Sequence, residues 1–287
     1  MSLMKFHWGV TPESDAFFQR HPKFSDAFEH LMVLANKTFG REYQPKDRLE
    51  HIAFNLGEMC RVDFLEILFL AVHGWGIGAT KLLRGLYERA VTLAYMIKHP
   101  EKAERFVWYA AIQEYKVMLA AVELVGEKAF DEGLAGNTTV AQITASRDEF
   151  KGEFQVPVCK KCHGKGTCSH MTTAFSWDEK GVLAQAQALG TSYTNLYMGC
   201  YAMPNMHAHV SFTSAMQEYD KKADKERKRQ RQQEGDFALI NAFAVLLLVI
   251  RSQNNLFGLG LEQDIKACEK EWSTAWGGTV TAVLDRS

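Results

Sequence analysis

Apolar residues along this chain recur mostly at three- and four-residue steps and seldom alternate with polar ones. That period belongs to helices with one buried stripe. In SDAFEHLMVLANKTF, Phe28, Leu31, Met32, Leu34 and Ala35 share a face, and Ser25 stands where it can cap the first turn. KDRLEHIAFNLGEMC repeats the pattern with Leu49, Ile52, Ala53, Leu56, Met59 and Cys60. Helices are predicted next over 80–98 and 101–126, separated at His99-Pro100 because a proline disfavours helical backbone in the residue before it. A shorter helix follows over 138–150. Beyond it, SWDEKGVLAQAQAL opens on a capping-box pair, Ser176 and Glu179. TSYTNLYMGCYAM then carries an aromatic stripe, FALINAFAVLLLVI reads as a buried helix, and EQDIKACEKEWSTAW is amphipathic.

One stretch departs from this period. From about Lys151 to Phe175 the chain gathers Pro157, Gly164, Gly166 and three cysteines. The fold predicted is all-α, a multi-helix bundle forming a single domain over 1–287, with a small zinc-binding, cysteine-rich insertion at 153–175.

Composition narrows the setting. With 47% hydrophobic residues in 287, the chain can bury a large core. The formal net charge of -1 gives no whole-chain bias toward nucleic acid or an anionic membrane. Phe237 to Ile250 falls short of the ~20 residues that cross a bilayer, so it is expected in the core. MSLMKFHWGVTPES lacks a continuous apolar run ending in a small-residue cleavage site. A cytoplasmic protein with reduced thiols is therefore expected, and there clustered cysteines favour metal over disulfides.

The insertion supplies such a cluster. VCKKCHGKGTCSH holds Cys159, Cys162, Cys168 and His170 in a C-x2-C-x5-C-x-H string. Three thiolates and one imidazole complete the tetrahedral shell of structural zinc and leave no open position for catalysis. His163 is the alternative to His170 as the fourth ligand. The piece CKKCHGKG resembles one C-x-x-C-x-G-x-G unit of the cysteine-rich region of heat-shock cochaperones, which implies metal binding and not chaperone activity.

A second signal lies in TKLLRGLYERAVTLAYMI. Leu82, Leu83, Leu86, Ala90, Leu93, Ala94 and Ile97 form one apolar face, yet Ile77, Val91 and Tyr95 share the other with Arg84 and Glu88. A helix apolar on both faces belongs inside a bundle, so Arg84 and Glu88 are expected to be buried charges in need of partners. The competing reading is an i,i+4 ion pair on a solvated strip. Histidines in YMGCYAMPNMHAHVSF could complete a polar pocket: Pro204 should break or kink the helix beside Asn205, His207 and His209.

The basic run Lys221 to Arg231, KKADKERKRQR, is a solvated helix end or connector, or else a sequence-independent phosphate contact to RNA.

Leu82, Arg84 and Glu88, an L-x-R-x-x-x-E helix, together with Trp177, Ala184 or Ala186, Tyr193, Tyr197, Tyr201 and His207, resemble a bacterial all-helical family of unknown function over about Asp63 to Phe257. Pro204-Asn205 stands where that family has a small polar residue before its histidine, so His207 and His209 remain alternatives. The same region bears a looser likeness to the HEPN superfamily of helical ribonucleases and defence proteins, whose sites pair arginine with histidine in R-x4-6-H. No arginine precedes His207 or His209 at that spacing, and Arg84 would have to act from another helix. The expected function is a zinc-stabilised helical protein that binds a small molecule or protein partner through a pocket around Arg84, Glu88 and His207, homo-oligomerisation being left open. A HEPN-like, metal-independent ribonuclease in phage defence or a toxin system is the alternative.

Overall fold

A computed structural model describes residues 11–133, 138–157, 171–208 and 224–277. In chain order the helices are α1 (Thr11–Arg20), α2 (Phe24–Phe39), α3 (Arg48–Val72), α4 (Gly76–Lys98), α5 (Ala103–Val125), α6 (Glu127–Gly133) and α7 (Val140–Phe150). A short hairpin, β1 (Gln155–Pro157) and β2 (Met171–Thr173), follows. Then come α8 (Val182–Leu189), α9 (Thr191–Tyr197), a π-helical turn (Met198–Ala202), α10 (Met203–Ala208), α11 (Asp224–Phe257) and α12 (Glu262–Ala275). The multi-helix all-α class therefore holds. Two compact units divide the chain: Met1–Lys98 with Val182–Ser287, and His99–Gly181.

The first unit is built on α3, α4 and α11. Asp47 caps α3 by accepting from the Glu50 backbone N–H, which sets the helix start before the apolar stripe begins. On α11, Ala238, Leu239, Ala242, Phe243, Leu246, Leu247, Val249 and Ile250 are all buried. The stretch 229–257 is long and apolar enough to cross a membrane, but 72% of its most apolar window is buried inside the fold, as in a core helix. A Cβ on Gly76 would lie 2.1 Å from the Arg231 carbonyl oxygen, so only glycine allows α4 to start this close to α11. Trp272 of α12 is fully buried and stacks on Phe243 at 4.1 Å between centroids.

Aromatic packing also moves one predicted boundary. Helix α2 starts at Phe24 after Lys23, so Ser25 sits inside the first turn and caps nothing. Phe24 packs edge-on to Phe17 at 5.0 Å and to Trp272 at 5.4 Å, which draws the helix start forward by burial.

In the second unit, Phe154 is fully buried against Tyr109 at 5.1 Å, and Trp108 stacks on Phe150 at 5.6 Å. The predicted capping box at Ser176 and Glu179 is absent: residues 175–180 form bends. Asp178 is drawn inward to Lys102 at 3.0 Å, and Trp177 packs on Phe106 at 5.3 Å. An ion pair on a buried carboxylate and a ring contact thus outweigh a local cap. A capping box does form at Thr139 and Gln142, where α7 begins.

The hairpin bounds the cysteine-rich segment. Its antiparallel register pairs Gln155 with Thr173, Val156 with Thr172 and Pro157 with Met171. The predicted zinc ligands Cys159, Cys162, Cys168 and His170, and the alternative His163, lie outside the described residues, as does His209.

Candidate functional site

The site lies within the first unit, where α4 packs against the π-turn and α10. Arg84 and Glu88, one turn apart on α4, face outward to a greater extent than the helix's two apolar faces suggest. Their side chains are 31% and 45% exposed and form an i,i+4 ion pair at 3.7 Å. Full burial of these charges is therefore not observed. The apolar residues around them, Leu83, Leu86, Tyr87 and Val91, take the interior, while the longer polar side chains reach the edge of the bundle.

Tyrosines give Arg84 its setting. Its guanidinium carbon lies 5.0 Å from the centroid of the Tyr201 ring, and Nη2 donates to the Tyr201 hydroxyl at 3.4 Å. That hydrogen bond holds the guanidinium's pKa above its ordinary value, against the opposing effect of burial. Tyr201 in turn lies 5.4 Å from Tyr197, in a stacked arrangement, and 6.3 Å from Tyr87. Tyr87 is fully buried and donates its hydroxyl proton to the Tyr193 carbonyl at 2.7 Å, tying α4 to α9. Burial pushes the Tyr87 phenol well up, so it stays a neutral donor.

Tyr201 owes its position to the π-turn. Pro204, expected to break or kink the helix, is buried near the start of α10, and the chain runs helically through it. Proline cannot donate a proton to the carbonyl one turn back, and its ring crowds that carbonyl. The widened turn over Met198–Ala202, closed by the Met203 N–H on the Met198 carbonyl, accommodates both constraints. Within it, Cys200 is fully buried and its thiol donates to Asn241 Oδ1 of α11 at 3.7 Å. Burial pushes this thiol far up, as it does that of Cys60, and lifts Cys268 to about 12. All three thiols are buried and serve as packing residues.

Two polar atoms at this seam lack partners. Arg84 Nε and Asn205 Oδ1 are buried and make no hydrogen bond among the described residues. His207 is half-buried on α10. Among the described residues no hydrogen bond or ion pair joins His207 to Arg84 or Glu88, so the arginine–histidine pairing of a HEPN-type centre is not seen. Of the basic run, Arg229 and Arg231 are exposed at the N-terminal part of α11, and residues 221–223 lie outside the described residues.

The tyrosine stripe and Arg84 are visible in the sequence, whereas Tyr87 and Asn241 carry no mark of their own there. Tyr87 could have been found as the i+3 neighbour of Arg84, on the turn that faces α9. Asn241 had no local signal, since its role depends on a contact with Cys200 from a distant part of the chain.

Among the described residues no group of three or more His, Cys, Asp or Glu side chains could hold a metal ion. Chemically, Arg84 offers a guanidinium with part of its donor fork unused beside the Tyr201 ring, a donor set suited to an anion. No curated protein and no solved structure matches the chain. The family model for a Family of unknown function (DUF5677) matches residues 52–227, a span holding Arg84, Glu88, the tyrosines and His207. The chain belongs to that family.

Proposed function

We propose that the protein is a helical binding protein whose Arg84 anchors the phosphate or carboxylate group of a small molecule or partner, with Tyr201, Asn205 and His207 around it. The observation that carries this reading is the unpaired, buried Nε of Arg84 in a guanidinium already oriented by Tyr201. A buried donor without a partner costs about 1–3 kcal/mol, which an accepting ligand recovers. Glu88 competes weakly, because an ion pair at 3.7 Å with both side chains part-exposed contributes little. Tyr201 pre-orients the fork, so little side-chain entropy is lost on binding.

Zinc held by Cys159, Cys162, Cys168 and His170 is proposed as a staple for the excursion between β1 and β2. Supporting this, β1 and β2 pair Pro157 with Met171, so the described residues that flank the cysteine-rich segment lie side by side. The run Lys221 to Arg231 is proposed as a salt-sensitive contact for RNA.

The anion site is tested by measuring the affinity of inorganic phosphate and of a single-stranded RNA oligonucleotide for the wild-type chain, Arg84→Lys and Arg84→Ala. Loss of phosphate binding in Arg84→Ala, with weakened binding in Arg84→Lys, is expected. Equal affinities in all three proteins would refute the site.

A further inference from the structure

Away from the Arg84 seam, the outer faces of α3 and α4 form a shallow, open apolar groove of about 420 Å³ lined by Val62, Leu65, Glu66, Phe69, Leu70 and Leu82. Val62 is 46% and Phe69 48% exposed, and Met59, on the same outer stripe of α3, is 46% exposed. Spacings of three and four residues from Met59 through Val62 and Glu66 to Phe69 make this a seam of the kind two helices bury between them. Leaving such contiguous apolar surface in water is costly, and a monomer seldom does so without a partner to cover it.

The charges around the groove indicate which partner. Asp63 is paired with Arg89, and Glu58 with Arg61 at 2.8 Å. Glu66 in the groove and Lys81 beside Leu82 are both exposed, and neither has an ion-pair partner among the described residues. One is acidic and on α3; the other is basic and on α4. Glu66 itself lines the apolar strip and Lys81 is adjacent in sequence to Leu82, which also lines it, so across a two-fold axis the one unpaired charge of each sign can meet its opposite.

We infer that this face is the interface of a homodimer, in which the α3 seam of each copy enters the groove of the other and Glu66 of each copy meets Lys81 of the other. Burial of Phe69 and Val62 supplies the affinity, and the reciprocal charge pairs set the register.

Sedimentation equilibrium of the full chain reads this directly. The wild type is expected to be a dimer. Phe69→Asp is expected to be monomeric with an unchanged circular-dichroism spectrum, because the position is exposed. Glu66→Lys and Lys81→Glu should each raise the dimer dissociation constant at least about tenfold. The double variant should restore it, an outcome that no general loss of folding can mimic. A monomeric wild type, or single reversals that leave the dimer unchanged, would overturn the inference. So would a monomer that captures an added apolar helix in this groove.

Discussion

The Arg84 guanidinium lies over the Tyr201 ring, 5.0 Å from its centroid, while donating to the same residue's hydroxyl at 3.4 Å. One tyrosine therefore both screens a face of the charge and fixes its direction, and it can do so because a π-turn carries it. Arg84 sits on a long regular helix and Tyr201 on an irregular one, so the rigid element presents the charge and the widened turn tunes its surroundings.

Tyr201→Phe keeps the ring and removes the hydroxyl. Phosphate affinity is expected to fall about three- to tenfold, short of the loss in Arg84→Ala, because one hydrogen bond to a charged group disappears while the ring contact remains. Calorimetric titration of both variants checks the order. A Tyr201→Phe protein that binds as weakly as Arg84→Ala would show that the hydroxyl, and not the guanidinium, is the main contact.

Cys159→Ser is expected to lower bound zinc to well under one per chain and to reduce the melting temperature, since metal affinity contributes to folding free energy wherever a site is structural. Elemental analysis alongside thermal unfolding tests it. Stoichiometric zinc in that variant, or no zinc in the wild type, would remove the metal proposal.

Trp272→Ala is expected to destabilise the chain by about 3–5 kcal/mol in denaturant unfolding. The indole is fully buried between Phe243, Phe24 and Phe64, at 4.1, 5.4 and 6.3 Å, and three aromatic rings cannot collapse into the space it leaves.

Stability should decline in alkali. Burial raises the Tyr193 phenol from 10.0 to about 12, and Tyr87 is raised in the same direction. A group whose folded pKa lies above its unfolded value contributes fully below the unfolded pKa and loses that contribution as pH rises through the folded one. The unfolding midpoint should therefore hold steady up to about pH 9 and fall between about pH 10 and 12 as unfolded tyrosines ionise. A flat profile across that range would contradict the buried hydroxyl of Tyr87 on the Tyr193 carbonyl.

Much of the helical order was legible because apolar spacing registers burial directly. Where the chain met tertiary forces, local signals failed. Ser25 and Ser176 carry the right cap chemistry, yet Phe24 and Asp178 found better partners elsewhere in the fold. Pro204 correctly marked an irregularity, but a π-turn could not be told from a break without knowing that the tyrosine stripe packs on Tyr87. The three-residue strands β1 and β2 are too short to show alternation. Arg84 and Glu88 stood on a helix with two apolar faces, and sequence cannot say how far a long side chain reaches past such a face to water. Nothing in the sequence distinguishes Glu66 and Lys81 from other surface charges; only the pairing of their neighbours in the fold sets them apart.

Anion binding at Arg84 requires its Nε to meet the ligand directly. In a proton–nitrogen correlation spectrum of the arginine Nε region, one signal should vanish in Arg84→Lys, which assigns it. Adding inorganic phosphate to the wild type should shift that signal in a saturable way while the other arginine Nε signals stay in place. An Arg84 signal that stays fixed as phosphate is raised, or that moves only in step with every other arginine, would contradict the site.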